Sequence, residues 1–129
     1  MSTRPDRLLI VDDNEMNRDM LARRLGRKGY EISIAENAFH LEDRLSQENI
    51  DLVLLDIEMP VINGLDALVQ IRNTYTPMQL PVIMVTAQSQ SEDIVRALEL
   101  GANDYVTKPL DFAVALARGI DQREIARLA

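Results

Sequence analysis

A chain of 129 residues that is 47% hydrophobic but only 4% aromatic can bury one core, and that core must be mostly aliphatic. Its 21 acidic against 14 basic residues leave a net charge of −7, which argues against direct nucleic-acid binding, and the absence of cysteine excludes disulfides and thiolate metal sites. The opening MSTRPDR lacks the apolar stretch of a signal peptide and no run approaches membrane-spanning length, so a cytoplasmic domain without membrane insertion is expected.

In chain order, LLIV at 8–11 is apolar at every position, the pattern of a strand covered on both faces. Met16, Met20, Leu21 and Leu25 follow at helical spacing, and Gly29 is a stop signal. EISIA at 31–35 reads as the second strand, with Asn37 as a cap for a helix carrying Phe39, Leu41 and Leu45. LVLL at 52–55 is again apolar throughout. Asn63 heads a third helix with Asp66 three residues on, the spacing of a loose capping box, and Leu65, Leu68, Val69 and Ile71 follow.

PVIMVT at 81–86 supplies a fourth strand. Ser89 and Glu92 form a cleaner capping box before Ile94, Val95 and Leu98, and Gly101 ends that helix. The weaker DYVT at 104–107 is a fifth strand, and Asp111 caps a last helix with Phe112, Leu116 and Ile120. Five βα units in order predict an α/β fold, a parallel sheet with helices on both faces. No repeat or linker divides residues 1–129, which read as one domain. The last helix reaches Ala129 without a stop signal, which leaves two readings open, a free-standing single domain or a domain cut from a longer protein, and the uncapped end leans to the second.

Open parallel sheets place their sites at the carboxyl ends of the strands. The strand exits deliver Asp12 and Asp13, then Asp56, Thr86 and Lys108. Asp51 stands apart, at the start of the third strand and about 16 Å from Asp56. Either Asp12 or Asp13 alone would pass for a helix cap, but the pair with Asp56 calls for a counter-charge. With no cysteine and only His40 elsewhere, the donors are oxygens, which suit Mg²⁺ with Mn²⁺ as a substitute.

VDDNE (11–15), LLDIEMPVINGLD (54–66), MVTAQ (84–88) and LGANDYVTKPL (100–110), in this order and spacing, resemble the receiver domain of two-component response regulators, the CheY-like family. The resemblance covers essentially the whole chain. It implies a doubly wound sheet of order 2-1-3-4-5 and a phosphoacceptor at Asp56. It further implies Mg²⁺ held by Asp13, Asp56 and the backbone carbonyl of Glu58, with Asp12 acting through water. Lys108 and Thr86 would contact the phosphoryl oxygens, and Thr86 and Tyr105 would form the switch. Glu58 and Gln88 fall at positions that modulate acyl-phosphate lifetime.

The implied donor is a phosphohistidine on a histidine kinase or phosphotransfer protein. The surface of the fourth helix, fifth strand and fifth helix would serve a homodimer, a partner or an output domain beyond the C-terminus. Such a receiver is a self-phosphorylating acceptor rather than a turnover enzyme. Two rivals share parts of this pattern: a small phosphatase of the haloacid-dehalogenase class, and a degenerate receiver that works without phosphorylation. A flavodoxin-like carrier is disfavoured because two carboxylates in its first loop would repel a phosphate.

Overall fold

The computed structural model of the chain describes residues 6–86 and 91–107. Five strands, β1 (Arg7–Val11), β2 (Glu31–Ala35), β3 (Leu52–Asp56), β4 (Val82–Thr86) and β5 (Asp104–Thr107), form one sheet in the order β2-β1-β3-β4-β5. All four pairings are parallel. The intervening helices are α1 (Glu15–Arg27), α2 (Leu41–Gln47), α3 (Gly64–Thr74) and α4 (Ser91–Glu99). Among the described residues no helix is long and apolar enough to cross a membrane.

Two aliphatic cores explain the unbroken apolar runs. Leu9, Val11, Val53, Leu55, Val82 and Met84 pack into one core with residues of α2, α3 and α4. Their alternating neighbours Leu8, Ile10, Leu52, Leu54, Ile83 and Val85 pack into the other with Leu21 and Leu25 of α1. Successive strand side chains point to opposite faces, so a central strand covered on both sides has no position left for a polar residue. β2 is an edge strand, and its Ile34 stays 43% exposed.

Both glycine stops act as expected. Gly29 (φ +98°) and Gly101 (φ +107°) take the left-handed conformation just past α1 and α4. At α1 the Gly29 and Tyr30 amides donate back to the Gly26 and Leu25 carbonyls; at α4 the Gly101 and Ala102 amides donate to those of Leu98 and Ala97. Asn63 caps α3, its side-chain oxygen accepting from the Asp66 amide at 2.9 Å.

Three expectations need correction. Met16 is 81% exposed and leaves the buried stripe of α1, because at 100° per residue it lies opposite Leu25. Asn37 does not cap α2: its side chain accepts from the Phe39 amide at 2.9 Å in a local turn, and the helix begins later, behind His40. Phe39 therefore lies before the helix and is half exposed. Ser89 and the helix expected from Asp111 onward lie outside the described residues.

At the edge of the sheet opposite the strand exits, Asp51 accepts from the Arg7 amide at 2.8 Å and so ties β3 to β1. Nearby, the half-buried Arg72 guanidinium at the end of α3 donates to the carbonyls of Gly101 (2.8 Å), Tyr75 (3.2 Å) and Leu80 (2.9 Å), and to the Asn103 side-chain oxygen (2.9 Å). Burial pushes its pKa down to about 10, so it stays charged at neutral pH. This one side chain joins α3, the loop before β4 and the turn between α4 and β5. Arg72→Ala should lower unfolding stability by about 2–4 kcal/mol in a urea titration, because several buried acceptors lose a charged donor; a change within about 0.5 kcal/mol would show that the network is dispensable.

Candidate functional site

β1 and β3 are neighbours, so their exits open side by side. Asp12 follows β1 directly, and its amide donates to the Ala35 carbonyl at 3.1 Å, carrying the pairing with β2 one residue further. The Asp12 carboxylate accepts from the Asn14 amide at 2.9 Å, and its carbonyl accepts from the Arg18 guanidinium at 2.8 Å. Asn14 in turn caps α1 by accepting from the Asn17 amide at 2.9 Å. Asp12 is thus held by the first turn of the helix without being its cap.

Asp56 is the last residue of β3 and only 1% exposed; Asp12 is 2% exposed and Asp13 open to solvent. Carboxylate oxygens of all three lie within 4.8 Å of one another. Parallel registry places Asp56 beside Val85 and Thr86 one step beyond it on β4. The Thr86 hydroxyl, fully buried, donates to the exposed Glu58 carboxylate at 3.2 Å. The Glu58 amide donates to the Asp56 carboxylate at 3.3 Å. Tyr105 on β5 is half-buried against the core on the α3–α4 side. Lys108 and Gln88 lie outside the described residues, Lys108 directly after the end of β5 at Thr107.

The loop after Asp56 is shaped by close packing. The Gly64 amide donates to the Ile57 carbonyl at 2.8 Å, and a Cβ on Gly64 would overlap the Asp56 carbonyl oxygen. Only glycine lets the start of α3 come this near the strand. Met59 is buried beneath the loop, whereas Val61 is 84% exposed with φ +68°, a costly conformation for a β-branched residue.

Asp12, Asp13, Asp56, Glu58 and Thr86 therefore meet at one edge, and His40 is an exposed residue beside Asp43 rather than a member of this cluster. The roles of Asn14 and Arg18 were not foreseen from sequence. Asn14 was readable, since asparagine just before a helical stripe is a capping signal; Arg18 carried no signal of its own. The fit to a hard divalent cation rests on the donor set. All three candidate ligands are carboxylates, one is open to water, and Mg²⁺ favours one or two carboxylates with several waters.

Comparison with known proteins agrees with this geometry. Residues 8–118 match the family described as "Response regulator receiver domain". A curated relative, the uncharacterized transcriptional regulatory protein YkoG of Bacillus subtilis (strain 168), is 40% identical over 111 residues, which is 86% of this chain and 48% of that protein. The chain thus spans about half the length of this relative. Among solved structures, the receiver domain of the TMAO respiratory system response regulator TorR is 32% identical, with 91% of this chain and 95% of that one covered and a TM-score of 0.83. A CheY-like receiver domain protein from Methanospirillum hungatei JF-1 is 29% identical, with 95% and 97% covered and a TM-score of 0.86. A five-stranded parallel sheet of order 2-1-3-4-5, acids at its carboxyl edge and these matches make the chain a member of the response regulator receiver domain family of two-component signalling.

Proposed function

We propose that this chain is the phosphoacceptor of a two-component phosphorelay and carries the phosphoryl group on Asp56. The observation that supports this most directly is the meeting of the Asp12, Asp13 and Asp56 carboxylates within 4.8 Å, with one of them at the end of a fully buried strand. The donor would be a phosphohistidine of a histidine kinase or phosphotransfer protein. A carboxylate oxygen of Asp56 attacks phosphorus, the P–N bond breaks, and the imidazole leaves with the electron pair, so that an acyl phosphate replaces the phosphoimidazole. Phosphoryl transfer asks mostly for positioning and charge neutralisation.

Asp13, Asp56 and the backbone carbonyl of Glu58 would hold a Mg²⁺ ion, with Asp12 reaching it through water. Such an ion supplies charge neutralisation and polarises phosphoryl oxygens. Lys108 would pair with one phosphoryl oxygen as a flexible point charge. The Thr86 hydroxyl, now donating to Glu58, would turn to another. Its movement leaves room behind β4 into which Tyr105 turns, and this remodels the α4–β5 surface, where Val95 and Leu98 are exposed. The chain accepts one phosphoryl group per cycle and is not a turnover enzyme.

Residues 1–129 would act as one receiver domain, cytoplasmic, and dimerising or gripping partners through the α4–β5 face. Likeness to a longer transcriptional regulatory protein supports control of a separate output domain. Nucleic-acid contact would then belong to that domain rather than to this acidic one.

Incubation with acetyl phosphate and Mg²⁺ should add one phosphoryl group by intact mass to the wild type and none to Asp56→Asn, and chelation of the metal should abolish the gain; labelling of Asp56→Asn to the same extent would sink the assignment. Tyr105→Ala should keep this labelling but lose the phosphorylation-dependent change in amide exchange over α4 and β5. If labelling and exchange response fall together, Tyr105 is not a switch. The double variant Glu58→Ala, Gln88→Ala should alter the decay rate of the acyl phosphate, followed by the same mass assay; an unchanged rate removes both residues from that role.

A further inference from the structure

Among the described residues the sheet ends on one side at β2. The Glu31 amide donates to the Asp6 carbonyl and the Ala35 carbonyl accepts from the Asp12 amide, so residues 31, 33 and 35 turn their backbone groups toward β1. Alternation then points the amides and carbonyls of Ile32 and Ile34 away from the sheet. Such a row, on a strand whose Ile34 is 43% exposed, is a template for another strand. Side chains of α2 and its cap close it. The Ser33 hydroxyl and Arg44 Nε each donate to the Glu48 carboxylate at 2.6 Å, and Arg44 Nη1 donates to the Ile34 carbonyl at 3.0 Å. This chain of bonds leaves β2 at residue 33 and returns to it at residue 34. Arg44 and Glu48 stand one helical turn apart. The bonds from Ser33 and Arg44 hold the Glu48 carboxyl below the usual carboxylate range, so the pair is ionised at neutral pH.

We propose that Arg44 guards this edge, and that without it β2 pairs with β2 of a second copy of the chain. An added strand needs the Ile34 carbonyl as an acceptor. To reach it, the strand must displace a guanidinium that Glu48 holds in place, or bury that charge beside its own backbone, and both are costly. The second copy is the occupant that the edge itself selects. A two-fold axis through the edge sets β2 antiparallel to its own copy, so each strand meets the same row of donors and acceptors. Such a pairing also brings both exposed Ile34 side chains to one face of the joined sheet. The α4–β5 face lies at the other end of the sheet, so association there is a separate event. Neither Arg44 nor Ile34 belongs to the acid cluster, and the guard does not depend on phosphorylation of Asp56.

Sedimentation velocity of the whole, unphosphorylated chain over a concentration series reads the association. Arg44→Ala should self-associate at least about tenfold more tightly than wild type. Amide exchange locates the contact: Ile32 and Ile34 should gain protection in Arg44→Ala as concentration rises, while α4 and β5 should not. Arg44→Met keeps the stem and the helix propensity but lacks the donors and the charge. It should behave like Arg44→Ala, so the effect cannot be blamed on a weakened helix. Adding Ile34→Lys to Arg44→Ala returns a charge to the edge and should restore the wild-type curve. Acetyl phosphate labelling should be unchanged in all of these variants. Association no tighter than wild type in Arg44→Ala and Arg44→Met would overturn the proposal. So would association that Ile34→Lys fails to reverse, or concentration-dependent protection of Ile32 and Ile34 already present in wild type.

Discussion

Holding buried acids together is the constraint around which this domain is arranged. Two ionised carboxylates within 4.8 Å of each other repel by at least about 3 kcal/mol at an effective dielectric of about 20, and Asp12 and Asp56 are both almost fully buried. No loop could fix them at that separation unaided. They are held because each directly follows a strand whose residues fill two cores at once. β1 and β3 run side by side with Val11 paired to Leu55, so the next residue of each strand must emerge at the same place.

The surroundings of the acids then become intelligible as supports. The first turn of α1, capped by Asn14, returns an amide to the Asp12 carboxylate. On the other side Gly64 brings α3 against the end of β3, and the loop between them is drawn tight enough to leave Val61 in a left-handed conformation. Strain of this kind persists only where the surrounding packing determines the backbone. Thr86 completes the arrangement from β4, one step past the registry partner of Asp56, and its hydroxyl donates to Glu58 in the loop after β3. A group bound at this edge is thereby in reach of β4, and through β4 of β5 and Tyr105.

Side-chain to backbone hydrogen bonds tie the opposite edge together. Asp51 and Arg72 stitch strand starts and loop ends there with hydrogen bonds to backbone groups. A well-tied base and a polar, loop-built top is a division of labour common to open parallel sheets. It lets charge at the top bias side-chain positions while the sheet registry stays put.

The strands and their exits were legible in the sequence because they depend on near neighbours. A run apolar at every position can only be a strand covered on both faces or part of a buried helix, and its length of four or five residues decides between them. Gly29 and Gly101 announced helix ends because φ above zero is cheap for glycine alone. The motifs around Asp12, Asp56 and Thr86 placed the site through family resemblance. The tertiary structure alone decided which of two adjacent acids is buried, that Met16 and Phe39 face solvent, where α2 begins, and what Arg72 holds together. Those outcomes turn on contacts between segments far apart in the chain, which arise from competition for one packed interior and leave no trace in local periodicity.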